Sequence, residues 1–348
     1  MKVNSIQALA IAKAIFVTQQ ITGHKKCFGM VGAPGTGKTE IAAEFSKSKN
    51  KTGQTLFDGF AHVVATETNG LELCGLFEII DGKTVRAKSM VLPENKRICV
   101  LVDEPFDVPK YEQSSFYRLI REHKIGDTKL ADGSFVLWCS NLIEHGAAAG
   151  KPSTAFINRG TYVELEQSAD GWLKGFAYPK NVNPTVCGFV RNFPDSIAKF
   201  EAKELQNCTA RSLTTLSDYE NSGVFDMLDD ASSIDAMVIG TIGENYGTRY
   251  IAFRGLDLPN VDEILSNPQT AELINDTQKL FALSALLVNR CNTGDDLKTI
   301  LKYVKRVNNP VIELALIVDC VSRTRELMNA PIYTQCITEH IELAMLQD

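Results

Sequence analysis

Gly32-Ala33-Pro34-Gly35-Thr36-Gly37-Lys38-Thr39 fits the pattern G-x-x-x-x-G-K-[ST]. Glycines in such a loop let backbone N–H groups turn inward around phosphate oxygens without a Cβ clash. A helix opening at Lys38 adds a positive partial charge and unpaired N–H donors. Lys38 is then placed to reach the β- and γ-phosphates of a bound triphosphate, and the Thr39 hydroxyl to ligate its Mg²⁺. Gly32, Pro34, Gly35, Thr36, Gly37, Lys38 and Thr39 are therefore the candidate phosphate-binding residues. The loop reads phosphates and not the base, so ATP and GTP both satisfy it.

Further along, Ile98-Cys99-Val100-Leu101-Val102-Asp103-Glu104 is an apolar run ending in two carboxylates. Ligands of open α/β sheets sit at the carboxyl ends of strands. Asp103 is thus expected at the metal and Glu104 beside the γ-phosphate, where it can orient the attacking water or accept its proton. A third run, Val136-Leu137-Trp138-Cys139-Ser140-Asn141, would put the Asn141 amide between the first two strand ends, able to donate to the γ-phosphate and hold the same water. Taken alone, an Asn there is better explained by an ordinary turn. Arg159, in Phe156-Ile157-Asn158-Arg159-Gly160, is a candidate to stabilise charge on the transferred phosphoryl of a neighbouring subunit. Arg211, early in a later helical stretch, is a candidate to reach the nucleotide from a lid, and spacing alone does not separate it from Arg191 or Arg249.

The elements that must hold these residues are legible as short apolar runs at 27–31, 61–65, 98–102, 136–139 and 162–165. Several are almost wholly apolar, as parallel strands covered on both faces should be. Helical periodicity at 38–48 and 110–123 separates them, so the expected fold is a parallel α/β sheet with helices on both faces. Residues 124–134 carry turn signals that suit a small hairpin, and 67–91 forms an irregular insertion with Asn69-Gly70 and Asp81-Gly82 turns. Beyond Pro184 strand signal fades and helical patterns take over at 233–246, 271–291, 297–307 and 311–327. The expected division is a nucleotide-binding core at 1–180 and an all-α lid and partner-binding domain at 181–348.

Length and composition agree. At 348 residues, 44% hydrophobic and 22% charged, the chain suits two globular domains. No apolar run approaches the ~20 residues that span a bilayer, and nine scattered cysteines with no C-x-x-C pair suit a reducing cytoplasm. The net charge of −6 is uneven, +3 over 1–180 and −9 over 181–348, which disfavours broad binding to nucleic-acid phosphates.

In their order these segments resemble the AAA+ ATPases, in particular the MoxR-like and dynein-related branch in the form carried by phages and bacteria. The matching stretches are 31–39 (Walker A), 100–104 (Walker B), 137–141 (sensor 1), 155–159 with 162–165 (arginine-finger segment) and 210–212 (sensor 2). The stretch from Ala65 to Leu76 resembles the part after the second strand where that branch carries an insertion. The resemblance implies Lys38 and Thr39 on phosphate and Mg²⁺, Asp103 on Mg²⁺, Glu104 as catalytic base, Asn141 as sensor 1, Arg159 as a finger acting in trans and Arg211 as sensor 2. Gly160 stands where a bulky residue usually follows the finger, and Ala210 where a Pro often precedes sensor 2. It further implies a homo-oligomeric ring, usually a hexamer, a protein client, and a von Willebrand factor A-type companion. The favoured expectation is a cytoplasmic ring ATPase that remodels a protein partner, with residues 69–91, which include Leu76, Phe77, Ile79 and Ile80, as an axial loop touching the client. Burial of those four against the sheet is an equal alternative. A DNA-directed motor is the second reading, since Lys83, Arg86, Lys88, Lys96 and Arg97 crowd one segment. A nucleotide-gated scaffold is disfavoured by Glu104, and a small-molecule kinase by the lack of any acceptor-site residue.

Overall fold

In the computed structural model a capping box opens the chain: the Asn4 side chain accepts from the Gln7 N–H, and the Gln7 side chain from the Asn4 N–H. They launch helix α1 (Ser5–Thr22), which Gly23 ends in the left-handed conformation. The structure describes residues 2–68, 73–87, 92–141, 160–197, 200–201 and 203–345, with side chains to 339. Two compact units result, Met1–Glu166 and Gln167–Asp348.

The first unit holds strands β1 (Lys2–Val3), β2 (Cys27–Val31), β3 (Gly59–Val64), β4 (Phe77–Ile80), β5 (Lys83–Arg86), β6 (Ile98–Asp103), β7 (Lys124–Ile125), β8 (Thr128–Lys129), β9 (Phe135–Ser140) and β10 (Thr161–Leu165). Six of them form one parallel sheet in the order β1-β10-β2-β9-β6-β3. One face is covered by α1 and α2 (Lys38–Ser46): Ala12, Phe16, Ile41 and Phe45 pack on Phe28, Met30, Leu101 and Leu137. The other is covered by α3 (Lys110–Glu122), whose Phe116, Leu119 and Ile120 meet Val100, Val102, Val136 and Trp138. Burial on both faces is why β6 and β9 read as continuous apolar runs. At Gly29 the absence of a side chain is required, because a Cβ there would lie 2.1 Å from the Trp138 ring on the adjacent strand.

The hairpin expected at 124–134 is present as β7–β8, turning at Gly126-Asp127. Within the insertion, β4 and β5 pair antiparallel about Asp81-Gly82, both at positive φ (52° and 73°), the backbone that a two-residue hairpin turn needs. Its Leu76, Phe77, Ile79, Ile80 and Val85 are exposed, Ile79 to 81%. The part of the insertion at 69–72 and 88–91 lies outside the described residues.

The second unit is helical, with no strand among its described residues. Ala210–Ser222, Thr277–Arg290, Gly294–Val307 and Pro310–Arg323 bury Leu213, Leu216, Leu283, Leu287, Leu297, Leu301 and Ile317 in a common core. The pattern read as one helix at 233–246 is two, broken at Gly243. The units divide at Glu166/Gln167, ahead of the break expected near 180, because Trp172, Leu173, Ala177 and Tyr178 join the helical core. Tyr178 donates to Asp319 (2.7 Å), whose other oxygen accepts from Arg191. No helix among the described residues is long and apolar enough to cross a membrane.

Candidate functional site

Because β9 lies between β2 and β6, the residues directly after these three strands, Gly32, Asn141 and Glu104, stand side by side at the carboxyl end of the sheet. Backbone bonds tie them: Gly32 N–H donates to Ser140 O (3.3 Å), and Glu104 N–H to Cys139 O (2.9 Å). In the loop after β2, Gly35 and Gly37 take φ of 74° and 81°, and Gly37 directly precedes the first turn of α2. Side chains rarely adopt that backbone, so the two glycines allow the loop to curl over the helix N-terminus. This is an α/β P-loop fold followed by a helical unit.

Lys38 is only 8% exposed. Its Nζ donates to Gly32 O (3.0 Å), Ala33 O (2.8 Å) and Asn141 Oδ1 (3.0 Å). The Thr39 hydroxyl donates to Asp103 Oδ2 at 3.2 Å. Asn141 Nδ2 in turn donates to Glu104 Oε1 at 3.2 Å. Glu104 is held at φ 55°, left-handed backbone that costs a non-glycine residue energy and recurs at functional sites. That twist occurs just where the chain leaves β6. Lys38, Thr39, Asp103, Glu104 and Asn141 are thus brought together.

Three further groups belong to the same neighbourhood and were not found by reading the sequence. His62, on β3, places Nε2 at 3.1 Å from Asp103 Oδ2. The Cys139 thiol donates to Asp103 Oδ1 (2.8 Å), and burial with the Asp103 charge pushes its pKa well up. Asp107 has a buried Oδ1 with no hydrogen-bond partner among the described residues. Burial, then the Glu104 and Asp103 charges, raise its pKa, while Lys38 opposes them. His62 is the one polar side chain in the run Phe60-Ala61-His62-Val63-Val64 of the edge strand, and that was the only signal for it.

Arg159 lies outside the described residues. Arg211 is exposed in the first turn of Ala210–Ser222, and its guanidinium has no partner among the described residues.

No protein-family model matches the chain, and no curated protein does. Among solved structures it is similar to two point mutants of RuvB from Thermotoga maritima, at 15% and 16% identity. Each covers 81% of this chain and 80% of the other, with a TM-score of 0.36. It is also similar to NtrX from Brucella abortus in complex with ADP, at 14% identity and a TM-score of 0.36, over 86% of this chain and 64% of that one. Superpositions this loose transfer no activity, and what the chain does must come from its own residues.

Those residues fit a nucleotide triphosphate with Mg²⁺. The left-handed glycines of the loop and the start of α2, which no side chain caps, suit phosphate, a group that backbone N–H donors at a helix N-terminus bind. Thr39 and Asp103 supply two oxygens 3.2 Å apart, and Asp103 keeps 17% of its side chain exposed. Mg²⁺ is commonly held by one or two carboxylates with substrate phosphates and waters, so no larger protein cage is needed.

Proposed function

We propose that the chain is a magnesium-dependent ATPase of the AAA+ type, nearest the MoxR-like branch. It assembles as a ring, expected to be hexameric, and couples hydrolysis to remodelling of a protein partner in the cytoplasm. The observation that carries the reading is the meeting of Lys38, Thr39, Asp103, Glu104 and Asn141 at three adjacent strand ends. Lys38 and the loop N–H groups bind and orient the β- and γ-phosphates. Thr39 and Asp103 hold Mg²⁺, which when bound neutralises charge on the phosphate oxygens. Glu104 orients the attacking water and takes its proton, and Asn141 holds Glu104 and Lys38 in register for that step. Arg159 acts on the nucleotide of the next subunit, and Arg211 serves the nucleotide from the helical unit, which responds to loss of the γ-phosphate.

A protein partner is favoured over DNA by the β4–β5 hairpin, whose apolar side chains Phe77, Ile79 and Ile80 are exposed. Of the basic side chains nearby, Arg97 is paired with Asp58 (2.9 Å) and Arg86 lies over the Phe77 ring (4.5 Å), so both are engaged. A von Willebrand factor A-type protein is the expected companion. Particle images with and without non-hydrolysable ATP test the assembly, with nucleotide-dependent rings expected and an unchanged monomer against it. Mixing Arg159→Ala with Lys38→Ala subunits restores activity if Arg159 acts in trans; no rescue removes that role.

A further inference from the structure

Asp103 is gripped by more than the residue that shares its proposed metal. Its Oδ2 accepts from Thr39 Oγ1 of α2 (3.2 Å) and lies 3.1 Å from His62 Nε2 of β3, while its Oδ1 accepts from Cys139 Sγ of β9 (2.8 Å). A carboxylate can only accept, so the His62 Nε2 carries the hydrogen. Three donors from three elements occupy three of roughly four lone-pair directions of the carboxylate and fix its plane. One direction is left for a cation or its water. His62 differs from the other two. Thr39 and Cys139 sit where α2 and the buried β9 place them, whereas His62 is on the edge strand, its side chain 35% exposed and its ring stacked 6.4 Å from that of half-covered Phe60. A single hydrogen bond made from a partly exposed side chain on an edge strand adds little net folding stability. Its effect falls on the orientation of Asp103.

We infer that His62 is a positioning residue for the divalent cation: it holds the Asp103 carboxylate in the orientation that takes Mg²⁺ with the bound nucleotide. The inference rests on the reading of this site as a magnesium–nucleotide clasp. Partners that orient a metal-binding carboxylate typically contribute 10- to 100-fold in metal affinity when removed. The same order is expected here.

The test uses the full-length protein and fluorescent mant-ATP, titrated with Mg²⁺ and, separately, in EDTA. For His62→Ala the Mg²⁺ concentration giving half-maximal tightening rises at least about 10-fold, while binding in EDTA and the melting temperature stay as in the wild type. His62→Gln, whose amide N–H can reach the same oxygen, recovers most of the loss. An unchanged Mg²⁺ midpoint in His62→Ala, or an equal loss with and without Mg²⁺, overturns the inference while leaving the clasp intact. If the wild type takes up no mant-ATP even with Mg²⁺, the clasp itself fails and the inference with it.

Discussion

The carboxamide nitrogen of Asn141 stands 3.2 Å from Glu104 Oε1, and the oxygen of the same amide accepts from Lys38 at 3.0 Å. One neutral side chain thereby sets the separation between the Lys38 ammonium and the Glu104 carboxylate. Replacing Asn141 by Ala should leave nucleotide affinity within a few-fold of wild type but lower kcat by about 100-fold, the usual effect of losing one oriented donor. Steady-state hydrolysis and mant-ATP binding measured together check this. An unchanged kcat would contradict it.

Gly29 and Trp138 form a second pair with a clear consequence. The ring lies where a Cβ of residue 29 would be, and it packs edge-on against Phe106 (5.2 Å), two residues beyond Glu104. Gly29→Ala should destabilise the first unit by about 2 kcal/mol through overpacking. Combining it with Trp138→Leu, which vacates the space, should recover part of the loss relative to the sum of the single changes. Thermal or urea unfolding of the four proteins decides; strict additivity would rule out the contact as the cause.

His123 is fully buried at the end of α3, with Nε2 3.0 Å from Lys26 O and Nδ1 unpartnered among the described residues. Burial lowers its pKa from 6.5 to about 4. Between those values the unfolded chain binds the extra proton, so stability is complete above the upper one and declines as pH falls towards the lower. The decline amounts to about 3 kcal/mol at most. His123→Asn tolerates the left-handed backbone at this position (φ 53°) and removes the titration. Melting temperatures at pH 7.5 and 5 should separate further for the wild type than for the variant; equal losses would contradict the assignment.

Much of this architecture is legible in the residues themselves. β2, β6 and β9 announce themselves because central parallel strands are apolar on both faces, and the loop from Gly32 to Thr39 follows from backbone geometry that only glycines supply. Edge and short elements are harder. β3 begins two residues before the apolar run suggests, since one of its faces carries exposed Phe60 and His62. β1 is two residues long and has no periodicity to read. The Asp81-Gly82 turn was visible, but the β4–β5 pairing around it was not, because its apolar side chains are exposed and so do not alternate with polar ones on a covered face. Trp172 to Tyr178 pack in the helical core ahead of the break expected near 180, because a helix that passes into a wider turn at Leu173–Ala177 breaks the 3.6-residue pattern. His62, Cys139 and Asp107 reach the site through register and side-chain packing, which a linear pattern does not encode.

In the proposed reaction, water attacks a bound triphosphate under the direction of Glu104. The most direct measurement compares wild type, Glu104→Gln and Lys38→Ala for magnesium-dependent ATP binding and for phosphate release. The expected result is binding and turnover in the wild type, binding with turnover reduced at least about 100-fold in Glu104→Gln, and neither in Lys38→Ala. Phosphate release by Glu104→Gln at the wild-type rate, or undiminished binding by Lys38→Ala, would contradict it.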